Sequence, residues 1–364
     1  MKSLFADIAA IAFGLFLTLL LLEGALRLLP VNEGLHTQPV NADSPVYHFE
    51  PNRDSVWSRG PDFALVNRVH TNNCGFVNDL DYLPDAPTPL AAVIGDSYVE
   101  AVMVPSKETL QARLASDLQG RGRVYSFAAS GAPLSQYLAY ARYACSTFHA
   151  DKLIFVVVGN DFDESLFRYA QMPGFHYFSE RNGKLELVRR DYEPSWTTRL
   201  ARHSRLALYL LTNARVQDVP ARVLGLFGSG RDERYVGQTS ARIDAERLRL
   251  SRMAVDEFLR LLPQETGLPA GRMLFVVDGV RPRLYDPAYA PQTDDSYFAQ
   301  MRREFMVKAR RLGFGVIDMQ PLFRAEHALT GGRFEFAQDA HWNGAGHELA
   351  ARAVRQSGFL DDLR

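Results

Sequence analysis

Four short polar segments of this 364-residue sequence carry side chains that could do chemistry together. They are Gly95-Asp96-Ser97, Ser130-Gly131, Gly159-Asn160-Asp161 and Asp339-Ala340-His341. The first three follow short apolar runs, and the fourth precedes a helical pattern near the end of the chain. A hydroxyl, a glycine amide, a carboxamide, a carboxylate and an imidazole are the groups that acyl transfer requires.

Ser97 is the candidate nucleophile of this set. Its hydroxyl is a weak nucleophile until a base removes the proton, and His341 is the candidate base. An imidazole with the ordinary pKa of about 6.5 accepts that proton at neutral pH and can return it to the leaving alcohol. Asp339 would orient the ring and stabilise the imidazolium, and Asp318 is the reserve carboxylate if Asp339 points away.

Acyl transfer also needs hydrogen-bond donors at the point where the oxyanion of the tetrahedral intermediate develops. The candidates are the backbone N–H groups of Ser97 and Gly131 and the side-chain amide of Asn160, each donor typically being worth ~10²–10³ in rate. Gly131 suits this role because a residue without a Cβ lets a substrate approach the backbone closely.

Each of these signals also has a purely structural interpretation. A Gly-Asp-Ser tripeptide can be an ordinary strand-to-helix turn with a capping serine, and Asn160-Asp161 can cap a helix. His341 can be a core histidine bonded to a backbone carbonyl. The order of the segments along the chain, and their places at successive strand ends, favour the catalytic interpretation.

Short apolar runs alternate with helical patterns from residue 90 onward, and these elements must position the polar segments. The runs are Leu90–Gly95, Val124–Ala128, Leu153–Val158, Met273–Val277 and Gly315–Asp318, and the helical stretches are Glu108–Leu118, Ser135–Cys145, Ile243–Leu262, Tyr297–Leu312 and Ala345–Arg355. This alternation predicts an α/β fold of three layers, α/β/α, with five parallel strands in a flavodoxin-like order. Ligands of such sheets bind beyond the carboxyl ends of the strands, where the polar segments stand.

The four segments resemble the four sequence blocks of the SGNH/GDSL hydrolases, over residues 90–165 and 270–357. Ser97 in Gly-Asp-Ser, Gly131, Asn160 in Gly-Asn-Asp, and His341 with Asp339 carry the resemblance. It implies a three-layer α/β/α fold and an esterase, lipase, deacetylase or acetyltransferase activity.

Two positions depart from the pattern of that family. Val158 stands where the third block usually begins with glycine, and the last block is D-x-H where the usual D-x-x-H spacing would place Gln338 as the carboxylate. The shorter spacing resembles members that acetylate cell-envelope polysaccharides. An amino-terminal anchor followed by the segment 72–76 (NNCGF) is similar to the layout of membrane-tethered bacterial members.

The amino-terminal segment, residues 1–30, is predicted to be a transmembrane anchor. Residues 8–22 are uncharged but fall short of the ~20 apolar residues that span a bilayer, and apolar neighbours on both sides extend the run. A cleaved signal peptide is the main alternative, but the residues after the run lack the required small pair at −3 and −1; a buried core helix is the other. Lys2 favours a cytoplasmic amino terminus, which would place the body on the periplasmic side of an inner membrane.

The rest of the chain is divided into two parts. Residues 31–88 are predicted to be a linker and loops that pack on the core, and 89–364 the hydrolase-like domain. An insertion at 171–240, predicted to be mostly helical around Ser195–Leu224, carries 11 basic and 7 acidic residues. It is interpreted as a solvated decoration, a cap over the site, or a surface that meets acidic glycan or lipid headgroups.

Composition excludes several other classes of protein. With 41 basic and 42 acidic residues the formal net charge is −1, which argues against nucleic-acid binding. Two cysteines, Cys74 and Cys145, cannot form a disulfide scaffold or a thiolate metal site, and whether they pair stays open. The acidic cluster Asp161, Asp163 and Glu164 is interpreted as a helix start. We therefore expect no metal and no cofactor.

Three functions remain compatible with these residues. The first is a membrane-anchored serine esterase or deacetylase acting on an acylated carbohydrate or a lipid-like small ester. The second is an O-acyltransferase in which a sugar hydroxyl replaces water, and the third is a glycan-binding protein without catalytic activity.

Overall fold

The computed structural model describes residues 2–216, 243–285, 296–337 and 339–363. In its first half the elements are α1 (Lys2–Leu26), β1 (Arg53–Arg59), β2 (Leu65–Thr71), β3 (Leu90–Gly95), α2 (Ser97–Glu100), α3 (Leu110–Leu118), β4 (Arg123–Ala128), α4 (Leu134–Phe148), β5 (Lys152–Val157), β6 (His176–Arg181), β7 (Lys184–Arg189), α5 (Trp196–Ala201) and α6 (Arg205–Leu208). They continue with α7 (Ala245–Thr266), β8 (Met273–Val277), α8 (Pro282–Tyr285), α9 (Tyr297–Arg311), β9 (Gly315–Asp318), α10 (Met319–Thr330), β10 (Glu335–Phe336), β11 (Asp339–Trp342) and α11 (Gly344–Gln356).

A five-stranded parallel sheet forms the centre of the molecule, in the order β4-β3-β5-β8-β9. The second strand of the five in chain order thus lies at one edge, followed by the first, third, fourth and fifth, which is the flavodoxin-like order. The predicted α/β fold class is confirmed. Strand β3 lies between β4 and β5, so the chain segments that leave these three strands emerge side by side.

Helices cover both faces of this sheet because its middle strands are apolar on both sides. Every residue of β3, β5 and β8 is buried. Helices α4, α7 and α9 pack on one face through residues such as Leu138, Phe258 and Phe305. Helices α3, α10 and α11 pack on the other, through residues such as Leu114 and Phe323. Burial of this apolar surface is the main force that holds the three layers together.

Residues 31–88, predicted to be linker and loops, also contain an antiparallel hairpin. Strands β1 and β2 pair over seven residues each, from Arg53 opposite Thr71 to Arg59 opposite Leu65. The segment packs tightly, since Val31 and Val40 are fully or almost fully buried. It is therefore a structured part of the body.

The insertion at 171–240 is only partly helical where it is described. It begins with the hairpin β6–β7, whose turn residues Asn182 and Gly183 both have positive φ, at 52° and 74°. Helices α5 and α6 and a π-helical turn at Tyr209–Asn213 follow. The rest of the predicted helical stretch, from residue 217, lies outside the described residues.

Helix α1 includes an apolar stretch, Leu4–Leu26, that is long and apolar enough to cross a membrane. The most apolar part of this stretch is not buried against the other described residues. A membrane anchor and a signal sequence both fit this observation.

The two cysteines, Cys74 and Cys145, are not bonded to each other. Burial raises the pKa of the Cys145 thiol to about 12, so it is an unreactive core group.

Candidate active site

Ser97 stands at the carboxyl end of β3, at the first position of the short helix α2. Asp96 caps that helix, because its Oδ1 accepts a hydrogen bond of 2.9 Å from the backbone N–H of Tyr98. Ala101 ends the helix in the left-handed conformation, with φ at 47°. The turn holds the Ser97 hydroxyl at the edge of the sheet, with its Oγ 3.3 Å from Asp96 Oδ2.

His341 and Asp339 reach Ser97 from the other end of the chain. His341 Nε2 lies 2.7 Å from Ser97 Oγ, and His341 Nδ1 is hydrogen-bonded to Asp339 Oδ1. The backbone N–H of His341 also donates to Asp339 Oδ1, at 3.0 Å. Both residues lie on strand β11, where side chains two residues apart point to the same side. A D-x-H spacing therefore places carboxylate and imidazole together within one extended strand.

Arg59, at the end of β1, binds the second oxygen of the same carboxylate. Its Nη1 donates to Asp339 Oδ2 at 2.6 Å, and the Asp339 side chain is 1% exposed. Burial alone would raise the pKa of Asp339, but the hydrogen bonds from His341 and the charge of Arg59 outweigh it and hold the pKa below its usual value. Asp339 is therefore ionised at neutral pH.

The alternative carboxylates take no part in this contact. Asp318 caps α10 through a 2.8 Å hydrogen bond from the backbone N–H of Gln320, and it forms an ion pair with Arg302. Because Asp339 faces His341, the condition for the reserve carboxylate Asp318 is not met, and the Asp318 side chain serves in helix capping. Gln338 lies outside the described residues.

Gly131 follows β4, on one side of Ser97. It has φ at 79°, a conformation that favours glycine, and an added Cβ would meet only Met172 Sδ at 4.0 Å. Within the described parts of the chain, neither the Gly131 N–H nor the Ser97 N–H donates a hydrogen bond to another group. Both donors are therefore open to a ligand.

Asn160 follows β5, on the other side of Ser97. It is buried, and its Nδ2 donates to Glu164 Oε2 at 2.8 Å. An amide nitrogen carries two hydrogens, so this bond uses one of them.

The acidic cluster Asp161, Asp163 and Glu164 does not start a helix, because consecutive turns follow β5. The helix-start interpretation of this cluster is therefore wrong. Asp163 instead forms a buried ion pair with Arg247, at 2.6 Å.

A buried arginine that the sequence analysis missed connects the two halves of the site. Arg281 donates to both oxygens of Asp278, to Tyr98 OH at 2.9 Å and to the backbone carbonyl of Ala340. Tyr98 is the neighbour of Ser97, and Ala340 lies between Asp339 and His341. Asp278 also accepts from Trp342 Nε1 at 2.9 Å. The Arg281 guanidinium therefore fixes β11 against α2. No local sequence pattern predicts these contacts.

Glu100 is a second buried carboxyl group near the serine, at the end of α2. Its Oε2 is hydrogen-bonded to the hydroxyl of Ser130, the residue before Gly131. Burial raises the pKa of Glu100 to about 7, against the lowering effect of that hydrogen bond.

Among the described residues no group of three His, Cys, Asp or Glu side chains is arranged to hold a metal ion.

The chain is similar in fold to several solved hydrolases, at low sequence identity. An α/β hydrolase, LAE5, from the metagenome of Lake Arreo matches with 14% identity, a TM-score of 0.40, and coverage of 75% of this chain and 95% of its own. A lipase/acylhydrolase from Enterococcus faecalis matches with 13% identity, a TM-score of 0.37, and coverage of 75% and 96%.

A two-domain esterase active on acetylated mannans matches with 11% identity, a TM-score of 0.39, and coverage of 76% of this chain and 50% of its own. No family model matches the sequence, and no curated protein matches it significantly. We therefore base the functional assignment on the geometry of the site.

Proposed function

We propose that this protein is a membrane-anchored serine esterase that hydrolyses O-acyl esters, with Ser97, His341 and Asp339 as its catalytic triad. One observation carries the proposal: Ser97 Oγ lies 2.7 Å from His341 Nε2, while Asp339 holds the opposite ring nitrogen. This is the contact that a hydroxyl nucleophile and its general base need.

The reaction begins when Ser97 Oγ attacks the ester carbonyl carbon and passes its proton to His341 Nε2. The tetrahedral intermediate collapses as the C–O bond to the alcohol breaks, and His341 returns the proton to that alcohol. Water then attacks acyl-Ser97, again with His341 as base, and the carboxylic acid leaves. Asp339 keeps Nδ1 protonated and stabilises the imidazolium, and Arg59 fixes the carboxylate that does so.

The oxyanion of each tetrahedral intermediate is assigned to three donors. They are the open N–H groups of Ser97 and Gly131 and the second hydrogen of Asn160 Nδ2, the first being bonded to Glu164. Ser97 stands at a helix start, where backbone N–H groups favour negative charge. Gly131 is exposed and adds a second backbone donor.

The substrate class we propose is an acylated carbohydrate of the cell envelope or a lipid-like small ester. Support comes from the apolar helix α1, which would keep the enzyme at a membrane. Lys2 favours a cytoplasmic amino terminus and hence a periplasmic catalytic body.

The test compares the full-length protein with Ser97→Ala and with Ser116→Ala, an exposed serine on α3 as the control. We expect Ser97→Ala to lower the rate of p-nitrophenyl acetate hydrolysis by at least about 10³-fold and Ser116→Ala to leave it unchanged. A fluorophosphonate should label Ser97 in the wild-type protein, as read by peptide mass spectrometry.

Two results would change the assignment. Equal hydrolysis by wild type and Ser97→Ala would overturn the esterase proposal and favour a non-catalytic binding protein. Acylated glycan formed in place of free acetate, when an acceptor glycan is added, would identify an O-acyltransferase that uses the same triad.

A further inference from the structure

A cavity rich in arginine lies where α1 meets the body of the protein. It has a volume of about 570 Å³, and four guanidinium groups line it together with one carboxylate, that of Glu33. The arginines are Arg27, Arg53, Arg202 and Arg205. They come from the end of the apolar helix, from β1 and from the insertion, so three separate parts of the chain converge on one positive site.

The insertion lies at the level of the last turn of α1. Glu23, three residues before the end of that helix, accepts hydrogen bonds of 3.0 and 2.9 Å from the backbone N–H groups of Arg205 and Leu206 and one of 2.9 Å from Ser204 Oγ. Three residues of helix span about 4.5 Å. With α1 in a bilayer, α6 and the cavity therefore lie at the depth of the lipid headgroups.

Exposed apolar side chains lie within a few residues of the cavity arginines along the chain. Leu28, which follows Arg27 along the chain, is 88% exposed, and Leu200, two residues before Arg202, is 64% exposed. Trp196 lies four residues before Leu200, on the same side of α5, and is 75% exposed. Tryptophan and leucine beside arginine are typical of segments that lie in a membrane interface.

The charge in the cavity is incompletely neutralised. Glu33 forms ion pairs with both Arg53 and Arg205, and Arg27 pairs with Glu23. Within the described residues Arg202 has no carboxylate at ion-pair distance, and its Nη2 reaches only the backbone carbonyl of Thr37, at 3.5 Å. Arg53 also pairs with Glu50, at 3.8 Å. Burial lowers the pKa of Arg53, the carboxylates of Glu33 and Glu50 oppose that lowering, and the charges of Arg202 and Arg205 add to it. A bound anion would reduce the electrostatic repulsion among these guanidinium groups.

We propose that this cavity binds the phosphate headgroup of an anionic phospholipid from the membrane that holds α1, with Arg202 as its principal contact. The proposal rests on the membrane anchoring included in the proposed function and is independent of the esterase activity. Guanidinium groups match phosphate oxygens in geometry and charge. The exposed leucines and tryptophan favour a lipid over a free phosphate ion, because they offer apolar surface to its glycerol and acyl part.

The experiment measures lipid binding to the full-length protein in an uncharged detergent by native mass spectrometry. The probes are dioctanoyl phosphatidylglycerol, dioctanoyl phosphatidylcholine and inorganic phosphate. The variants are Arg202→Gln and, as the matched control, Arg199→Gln, an arginine of α5 three residues before Arg202 whose partner is Glu193. We expect phosphatidylglycerol to bind at least about tenfold more tightly than phosphatidylcholine, because each arginine near anionic lipid is worth about fivefold in affinity.

Arg202→Gln should weaken phosphatidylglycerol binding about fivefold and Arg199→Gln should leave it unchanged. Equal binding of the two lipids, or equal effects of the two variants, would overturn the lipid site. Displacement of phosphatidylglycerol by the same concentration of inorganic phosphate would assign the cavity to free anions and also overturn it. Extraction of membranes with alkaline carbonate tests the anchor separately: release of the protein contradicts anchoring, whereas retention without lipid preference contradicts only the site.

Discussion

Asp339 and Glu100, two of the buried carboxyl groups near Ser97, differ in their surroundings and in the direction in which their pKa values are shifted. Asp339 receives hydrogen bonds from His341 and Arg59, which keep it ionised despite its burial. Glu100 is hydrogen-bonded to the hydroxyl and the backbone N–H of Ser130 and lies near the like charge of Asp96, and burial raises its pKa to about 7. The hydrogen bonds and charge of His341, together with the charge of Arg59, therefore keep Asp339 ionised, whereas Glu100 holds a proton at mildly acidic pH.

The raised pKa of Glu100 makes stability depend on pH. Between about pH 4.5 and 7 the folded protein keeps a proton that the unfolded chain releases, so this group's contribution to stability is lost as the pH rises through that window. A shift of this size corresponds to about 3 kcal/mol. We expect Glu100→Gln to flatten the fall in the free energy of unfolding between pH 5 and pH 8, measured by urea denaturation.

The control for that measurement is Glu186→Gln, an exposed glutamate on β7. It should keep the pH dependence of the wild-type protein. If Glu100→Gln keeps that dependence as well, Glu100 is ionised in the folded protein and the account of its environment is wrong.

At the scale of elements, Arg281 joins β11, which carries the proposed base His341, to α2, which carries the proposed nucleophile Ser97. Its guanidinium contacts Tyr98 on α2, Ala340 on β11 and Asp278 after β8. Lysine keeps the charge but offers one nitrogen where arginine offers three, so it cannot hold all three partners.

We expect Arg281→Lys to lower kcat for p-nitrophenyl acetate by about 10- to 100-fold with little change in KM, because the Ser97–His341 distance is no longer fixed. Loss of the hydrogen bonds that lysine cannot make should also cost about 1–3 kcal/mol in the free energy of unfolding. Arg333→Lys, an exposed residue at the edge of the same region, should alter neither. An unchanged kcat in Arg281→Lys would show that α2 and β11 hold their positions without this contact.

The elements differ in how far the sequence predicts them. The five strands of the sheet were predicted, and the bounds of β3 and β8 agree with the structure because a strand buried on both faces is a continuous apolar run. The bounds of the half-buried edge strand β9 also agree. The β6–β7 hairpin had a local signal that was overlooked, the pair Asn182-Gly183 in a two-residue turn. Arg59 had none, since its partner Asp339 lies 280 residues away and only the tertiary fold brings the two together.

At the scale of the whole molecule, the amino-terminal helix is fastened to the body. Leu26, Val31 and Leu208 form a small buried cluster, and Glu23 caps the start of α6. The segment therefore contributes to folding stability besides the membrane attachment we propose for it.

Two truncations separate these contributions. Removal of residues 1–20 keeps Glu23 and Leu26, whereas removal of 1–29 takes both away. We expect the longer truncation to be less stable by about 1–3 kcal/mol, because it leaves backbone donors of α6 without their acceptor. Both should hydrolyse p-nitrophenyl acetate with similar kcat/KM, since the triad lies in the body. Equal thermal stability of the two proteins would contradict the capping role of Glu23.

The end of β1 has a consequence for how the protein meets its substrate. Ser58 Oγ donates to the carbonyl of Pro30, four residues after α1, and the next residue, Arg59, holds Asp339. With α1 in a bilayer, the site cannot swing on a flexible stalk, and its height above the lipid is set by a few residues of rigid strand. An esterase held in this way diffuses in the plane of the membrane and reaches only ester groups at one distance from the lipid surface. Esters farther from the membrane would not be hydrolysed, even where they match the site.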